Sequence, residues 1–355
     1  MATTIAPGYI QAQSQEKQVH EFLTHAMEKE KIPGLAYAVI EKGKVKSKGI
    51  LGLAELSWKQ PVTPETTFQL ASVSKIFCSF LLSRMFDTGI LSPEQKISTL
   101  IDSIPEGWKD ITVLQLANHQ SGIQIGDFSE AKTTKQALEI AKKQTLQFKP
   151  GESDAYVSSD YWVLQYIIEK TCGTSYFEAL QTYVTKPLKM DQTFVDNWSG
   201  GRVQMSEIVP RQSKVYHFWQ NPDRFVEGNF PFVSTGYSAG GIYTSINDFI
   251  KLMLAMDDRN FISQKSYELM TTSMTLKSKQ GSFGLGFMVY PFQGHKLVGH
   301  SGGPALADVA KFQDEGLTVI VLANQRGFYP YLARSIASFY IKGLKAEGPP
   351  AGYKF

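Results

Sequence analysis

Three short stretches carry residue types suited to chemistry. The first is Ser72-Val73-Ser74-Lys75. Residues three apart on a helix share a face, so the Ser72 hydroxyl and the Lys75 amine can meet. A serine hydroxyl is a weak nucleophile until a base takes its proton. A lysine serves as that base only when its pKa falls well below the usual ~10.4, and apolar burial drives it down. The residues that follow (Ile76, Phe77, Cys78, Phe80, Leu81, Leu82, Met85, Phe86) supply that burial. A helix apolar on every side belongs in a core, where lysine is rare unless paired or used. The start of such a helix also offers free N–H groups and the positive end of the dipole, so the Ser72 amide is a candidate oxyanion donor. Ser-x-x-Lys recurs at Ser14/Lys17 and Ser129/Lys132, in polar segments where a solvated lysine needs no explanation.

The second stretch, Tyr156-Val157-Ser158, lies between a Pro150-Gly151 turn and a helix. A loop tyrosine acts as acid or base when nearby positive charge lowers its pKa from ~10, and Lys75 would be that charge. With 16 tyrosines in the chain, and Tyr243-Thr244-Ser245 of the same form, an aromatic anchor is the plainer reading of this stretch alone. The third is Gly299-His300-Ser301-Gly302-Gly303. Small residues at a strand edge let a substrate approach the backbone. Gly303 is then the candidate for a second oxyanion N–H. His300 is a candidate to bond the serine–tyrosine pair or a substrate carboxylate. The alternative is a tight turn with a surface histidine. This stretch also fits Gly-x-Ser-x-Gly, the nucleophile elbow of α/β-hydrolases. That fold needs Ser, then acid, then His, and no histidine follows Ser301. Ala307 to Phe312 also reads as a strand where the elbow needs a helix.

The elements that must position these residues can be read from periodicity. Residues 14–31 form a helix with Val19, Phe22, Leu23 and Met27 on one side, stopped by Pro33-Gly34. Residues 35–56 read as a β-hairpin turning at Lys42-Gly43. The apolar helix runs from Ser72 to Thr88, with Gly89 as its stop. Residues 90–195 are mostly helical and include Asp160–Cys172, ended by Gly173. Residues 196–235 are irregular and aromatic. After the helix in Ile246–Met256 come strand-like runs, Phe283–Tyr290, Lys296–His300, Ala307–Phe312 and Leu317–Asn324, and a last helix near 329–342. The fold class is therefore α+β. Strands from both ends form one antiparallel sheet, residues 1–70 and 236–355, and a mainly helical domain, 71–235, is inserted. The site is expected in the cleft between them.

Composition narrows the function classes. The chain has 355 residues, 43% hydrophobic and 19% charged, which suits a globular fold with a full core. A net charge of +3 without a long basic run argues against nucleic-acid binding. Two cysteines, Cys78 and Cys172, are read as buried free thiols, too few for a disulfide framework or a metal site. No segment reaches the ~18 apolar residues of a membrane span. The N-terminus lacks a signal-peptide layout. The expected compartment is cytoplasmic, or periplasmic or secreted where a leader has been replaced by Met1.

Taken together, the three stretches resemble the Ser-x-x-Lys, Tyr-x-Asn and Lys/His-Thr/Ser-Gly motifs of the serine β-lactamase and penicillin-binding protein superfamily. The similarity is to class C β-lactamases, DD-peptidases and related esterases. Residues 33–45, 61–75, LANHQSGI, YSAGGIYTSINDF and FGLGF also look like family segments. The resemblance implies a β-lactamase/transpeptidase-like fold and an acyl-enzyme on Ser72, with proton transfer shared by Lys75 and Tyr156. It implies an oxyanion hole from the amides of Ser72 and Gly303, and substrate contacts from Ser158, His300, Ser301 and Gly302. It implies no metal and no cofactor.

Two departures bear on substrate. Ser158 stands where the family has Asn, whose amide both donates and accepts and reaches further than a hydroxyl. In the relatives that amide holds the acylamino side chain of β-lactams and peptides, so its loss favours simpler esters or amides. Leu306 stands where relatives often carry Gly and is expected to narrow the cleft. Tyr216, Phe218, Trp219, Phe225 and Phe230 are candidate pocket walls. The expected function is a serine hydrolase, a carboxylesterase or a DD-peptidase/amidase-type enzyme acting on a small ester, amide or peptide. The alternatives are a class C-like β-lactamase or a non-catalytic penicillin-binding or sensor protein. Oligomeric state is not readable.

Overall fold

A computed structural model describes residues 7–126, 131–196, 198–199, 205–218, 224–228, 232, 234–276, 281–303, 306–351 and 353. Its strands are β1 (Gly34–Glu41), β2 (Lys44–Glu55), β3 (Gln60–Pro61), β4 (Thr67–Gln69), β5 (Thr193–Val195), β6 (Trp198–Ser199), β7 (Met205–Ser206), β8 (Tyr216–Phe218), β9 (Phe225–Glu227), β10 (Ile242–Ser245), β11 (Met288–Phe292), β12 (His295–Gly302), β13 (Ala307–Phe312) and β14 (Leu317–Ala323). Its helices are α1 (Pro7–Glu30), α2 (Ser74–Asp87), α3 (Val113–Ala117), α4 (Thr134–Ala141), α5 (Ser158–Cys172), α6 (Tyr176–Leu180), α7 (Ile246–Met256), α8 (Gln264–Thr271) and α9 (Leu332–Ala337).

The hairpin expected near the N-terminus is present. Lys42 and Gly43 both take positive φ, 49° and 74°, the geometry of a two-residue turn whose twist matches its strands. The two ends of the chain meet where β1 pairs antiparallel with β14, Leu35 opposite Ala323. This closes a seven-stranded sheet in the order β11-β12-β13-β14-β1-β2-β3. Successive strand residues face opposite sides. Ala36, Ala38, Ile40, Val298 and Ile320 enter one buried cluster with Phe77 and Phe80 of α2 and Leu164 of α5. Leu35, Tyr37, Val39, Leu297 and Val319 enter another with Val19 and Leu23 of α1 and Leu332 and Ile336 of α9. Both faces are covered, which is why β1 reads as a nearly unbroken apolar run.

Several boundaries differ from expectation. The apolar helix proper starts at Ser74, after a single 3-10 turn over Ala71–Val73, because Val73 N–H donates back to Leu70 O and Ala71 takes φ +45°. The last helix is shorter than expected. Beyond Ala337 the N–H groups of Ser338, Phe339 and Tyr340 turn to carbonyls three residues back, which ends regular α geometry. Phe283–Phe287 is bent at Gly286 (φ 71°), so β11 begins only at Met288. A small sheet, β4-β10-β5, and the hairpins β6–β7 and β8–β9 had no clear period in the sequence. α5 ends as expected, with Gly173 in the left-handed conformation. Cys78 is buried, whereas Cys172 is only half-buried. No described helix is long and apolar enough to cross a membrane.

Candidate active site

The turn that carries Ser72 is pinned on both sides. Leu70 N–H donates to Ile242 O, and Ser74 N–H reaches back to the carbonyls of Ala71 and Ser72. Ile242 N–H donates to the Ser74 hydroxyl at 3.2 Å. Ser72 itself is partly exposed, while Lys75, on the first turn of α2, is completely buried. The Lys75 amine donates to Ala239 O at 3.0 Å. It lies 4.9 Å from the ring centroid of Tyr156 and 5.2 Å from that of Tyr161, a cation over two aromatic faces.

Tyr156 is 44% exposed, so one side of its ring borders Lys75 and another is open to a ligand. Ser158 is half-buried and is the first residue of α5, not a loop residue. His300 is buried on β12, its ring 5.8 Å from that of Tyr156. Gly302 and Gly303 complete the convergence. A Cβ added to Gly302 would lie 2.1 Å from Leu70 O and 3.1 Å from Val73 N, and one on Gly303 (φ 64°) would lie 2.7 Å from the Ala71 methyl. Only glycine lets β12 approach the serine turn this closely. The three stretches are thus brought together around the Lys75 amine.

Alternation along β12 separates the remaining candidate. Ser301 faces away from His300 and donates its hydroxyl to Asp308 Oδ1 at 2.7 Å, behind the sheet. Its side chain is occupied there. Ser301 also sits within β12 paired to β13, so the strand–turn–helix elbow is not formed. Leu306 does not narrow the cleft as expected: it is fully buried against Ala71 and Val215, and its N–H donates to Gly302 O at 2.8 Å, supporting the turn from behind. Of the aromatic segment, Tyr216 is anchored by Leu56 N–H, and Phe218 and Phe225 pack tilted against one another, centroids 4.7 Å apart. Phe232 packs against the buried cluster of Ala71, Val215 and Leu306. Trp219, Phe230 and Ser129 lie outside the described residues.

The electrostatics of His300 follow from its place. Burial first, then the Lys75 charge, push it from 6.5 down to about 3. Its Nδ1 stands 2.8 Å from Ser301 O, and a carbonyl only accepts, so Nδ1 carries the proton. Nε2 is left as a neutral acceptor. Of its two expected roles, bonding a serine–tyrosine pair fits this state, whereas holding a substrate carboxylate as a cation does not. The unfolded chain binds the histidine proton below pH 6.5 and the folded chain only near 3, so this stability is present above 6.5 and lost as pH falls between those values. His300→Gln removes that dependence. Relative to wild type, the variant is expected to gain about 1.4 kcal/mol per pH unit below 6.5. Chemical denaturation of both proteins at pH 7 and pH 5 measures it, and parallel losses would contradict it.

A buried polar group beside Tyr156 was not singled out from the sequence. His119 Nδ1 stands 3.1 Å from Asp160 Oδ2, and the Ser121 hydroxyl donates to Asp160 Oδ1 at 2.5 Å. His119 lies in the stretch LANHQSGI, where only a family likeness marked it.

The antiparallel sheet with helices on both faces, its strand β12 meeting a Ser-x-x-Lys turn, is the architecture of the β-lactamase and penicillin-binding class. The Beta-lactamase family model matches residues 19–339, and the chain belongs to that family. Among curated proteins it is 29% identical over 240 residues to a beta-lactamase of Escherichia coli, covering 66% of this chain and 59% of that one. It is 27% identical over 314 residues to a D-aminopeptidase of Brucella anthropi, covering 83% of this chain and 56% of that one. Among solved structures it superposes with TM-score 0.78 and 25% identity on the octameric penicillin-binding protein homologue from Pyrococcus abyssi, covering 94% of this chain and 79% of that one.

Proposed function

We propose that this chain is a serine hydrolase working through an acyl-enzyme on Ser72, a carboxylesterase or a DD-peptidase/amidase-type enzyme acting on small esters or amides. One observation carries the reading: the stretches holding Ser72, Tyr156 and His300 converge on the amine of the fully buried Lys75. The substrate sits between the sheet part, 1–70 and 236–355, and the mainly helical part, 71–235.

Ser72 Oγ attacks the substrate carbonyl carbon while its proton passes to the Lys75–Tyr156 pair. The carbonyl π electrons move onto oxygen, which the N–H groups of Ser72 and Gly303 stabilise. The C–O or C–N bond then breaks, and the leaving group takes the proton from the same pair. Water adds to the ester on Ser72 and releases the acid, regenerating the hydroxyl. Ser158, His300 and the Gly302 backbone contact the substrate.

The ranking of esters and simple amides above β-lactams rests on Ser158 in place of Asn and on the neutral His300. The D-aminopeptidase relative is consistent with amide substrates, and the beta-lactamase relative keeps the second reading in view. The test is hydrolysis of p-nitrophenyl butyrate by wild type and Ser72→Ala at matched folded concentration. A drop of at least about 10³-fold is expected in the variant. Activity that persists would overturn the assignment, and efficient nitrocefin turnover that depends on Ser72 would overturn the ranking.

A further inference from the structure

Tyr156 is an exposed loop residue that a catalytic role requires to be held still. Its two chain neighbours are both bonded to one residue. Ala155 N–H donates to the His119 carbonyl at 2.9 Å, and Val157 N–H donates to His119 Nδ1 at 3.4 Å. The His119 ring also packs beside that of Tyr156, centroids 4.7 Å apart, and Phe283 lies 4.9 Å from His119 and 6.0 Å from Tyr156, so the three rings form one cluster. His119 is 2% exposed and takes φ +61°, a left-handed conformation uncommon for a non-glycine residue. Such strain persists where the surroundings over-determine it.

The proton count follows from the donors. Val157 N–H can only donate, so its 3.4 Å contact is a hydrogen bond only when Nδ1 presents its lone pair. The same nitrogen faces Asp160 Oδ2 at 3.1 Å, and with Nδ1 unprotonated that contact is a hydrogen bond only if the carboxyl oxygen carries the proton. The other carboxyl oxygen accepts from Ser121, whose own oxygen accepts from Ile123 N–H at 2.9 Å. In this arrangement both Asp160 oxygens and the Ser121 hydroxyl are hydrogen-bonded, and the Nδ1 lone pair is shared by Val157 N–H and Asp160. The surroundings agree: burial first, then Lys75 and His300, hold His119 well below the usual imidazole range, and burial holds Asp160 well above the usual carboxyl range.

We propose that His119 is a positioning residue for Tyr156, acting as a neutral imidazole with its proton on Nε2, braced by a protonated Asp160. This rests on the serine-hydrolase reading for its catalytic consequence, but not for its geometry or proton state.

Two measurements test it. The first needs no activity: nitrogen NMR of histidine-labelled protein at neutral pH, with the His119 signal assigned by its loss in His119→Asn. An unprotonated Nδ1 and a protonated Nε2 are expected. An imidazolium, or a proton on Nδ1, would overturn the proposal. The second is the rate of Ser72 labelling by a fluorophosphonate. His119→Phe keeps the ring but removes the acceptor, and should slow labelling about 30–100-fold at unchanged secondary structure. His119→Asn, which restores an acceptor near Nδ1, should recover at least about ten-fold of that loss. Asp160→Asn keeps a donor to Nδ1 and an acceptor for Ser121, and should label at least about ten-fold faster than Asp160→Leu. Equal loss in the Asn and Leu variants would show an ionised Asp160 and overturn the proton assignment. Equal rates in wild type and His119→Phe would overturn the positioning role. Wild-type labelling that survives Ser72→Ala would instead count against the serine reading, while the NMR result still decides the proton state.

Discussion

Replacing Lys75 with methionine should leave a folded protein that acylates far more slowly. Lys75 is completely buried at the start of α2, among Ile76, Phe77 and Phe80. Methionine has nearly the same length and no desolvation cost, and removing a buried polar group by a well-packed apolar one is often neutral or stabilising. The opposing losses are the bond to Ala239 O and the two aromatic contacts. These are of similar size, so the melting temperature should stay within a few degrees of wild type or rise. The same substitution removes the amine that shares the Ser72 proton. A positioned acid–base group contributes about 10²–10⁴-fold, and ester hydrolysis should fall by that much. A large fall in melting temperature with activity retained would make Lys75 a structural residue.

The second large effect belongs to Gly302. A Cβ there would sit 2.1 Å from Leu70 O and 3.1 Å from Val73 N, both backbone atoms of the turn that presents Ser72. No side chain can move aside, so in Gly302→Ala either β12 or the serine turn must shift. Overpacking of this kind costs about 1–3 kcal/mol, which the sheet register with β13 can absorb without unfolding. The catalytic geometry cannot absorb it as easily. A displacement near 1 Å costs on the order of 100-fold, so kcat/KM should fall by about that factor while secondary structure is kept. Near-wild-type kcat/KM would mean that the approach of β12 to the Ser72 turn is not needed for turnover.

Much of this was legible because the signals were local. The Lys42-Gly43 turn, the Gly173 stop and the apolar runs of β1 and β14 each follow from one chemical preference of a few residues. Lys75 announced itself as a charge in an apolar helix, and its burial is complete. What escaped depended on contacts remote in sequence. His119 and Asp160 are 41 positions apart, and neither has a local pattern that tells a buried pair from surface residues. The Ser301 hydroxyl reads as a candidate until the β12–β13 register sets it opposite Asp308. Leu306 reads as a cleft residue until its bond to Gly302 turns it into the core. The helix α2 starts two residues later than the apolar pattern predicts because Ala71 adopts a positive φ that alanine seldom takes.

The most direct test of the acyl-enzyme account is to locate the covalent adduct. The protein is incubated with a fluorophosphonate, its intact mass is measured, and the modified peptide is sequenced by fragmentation. The account predicts one adduct per chain, on Ser72, absent from Ser72→Ala and slow to form in Lys75→Met. An adduct on Ser301 or any other serine, or one that forms equally well in Ser72→Ala, would contradict it.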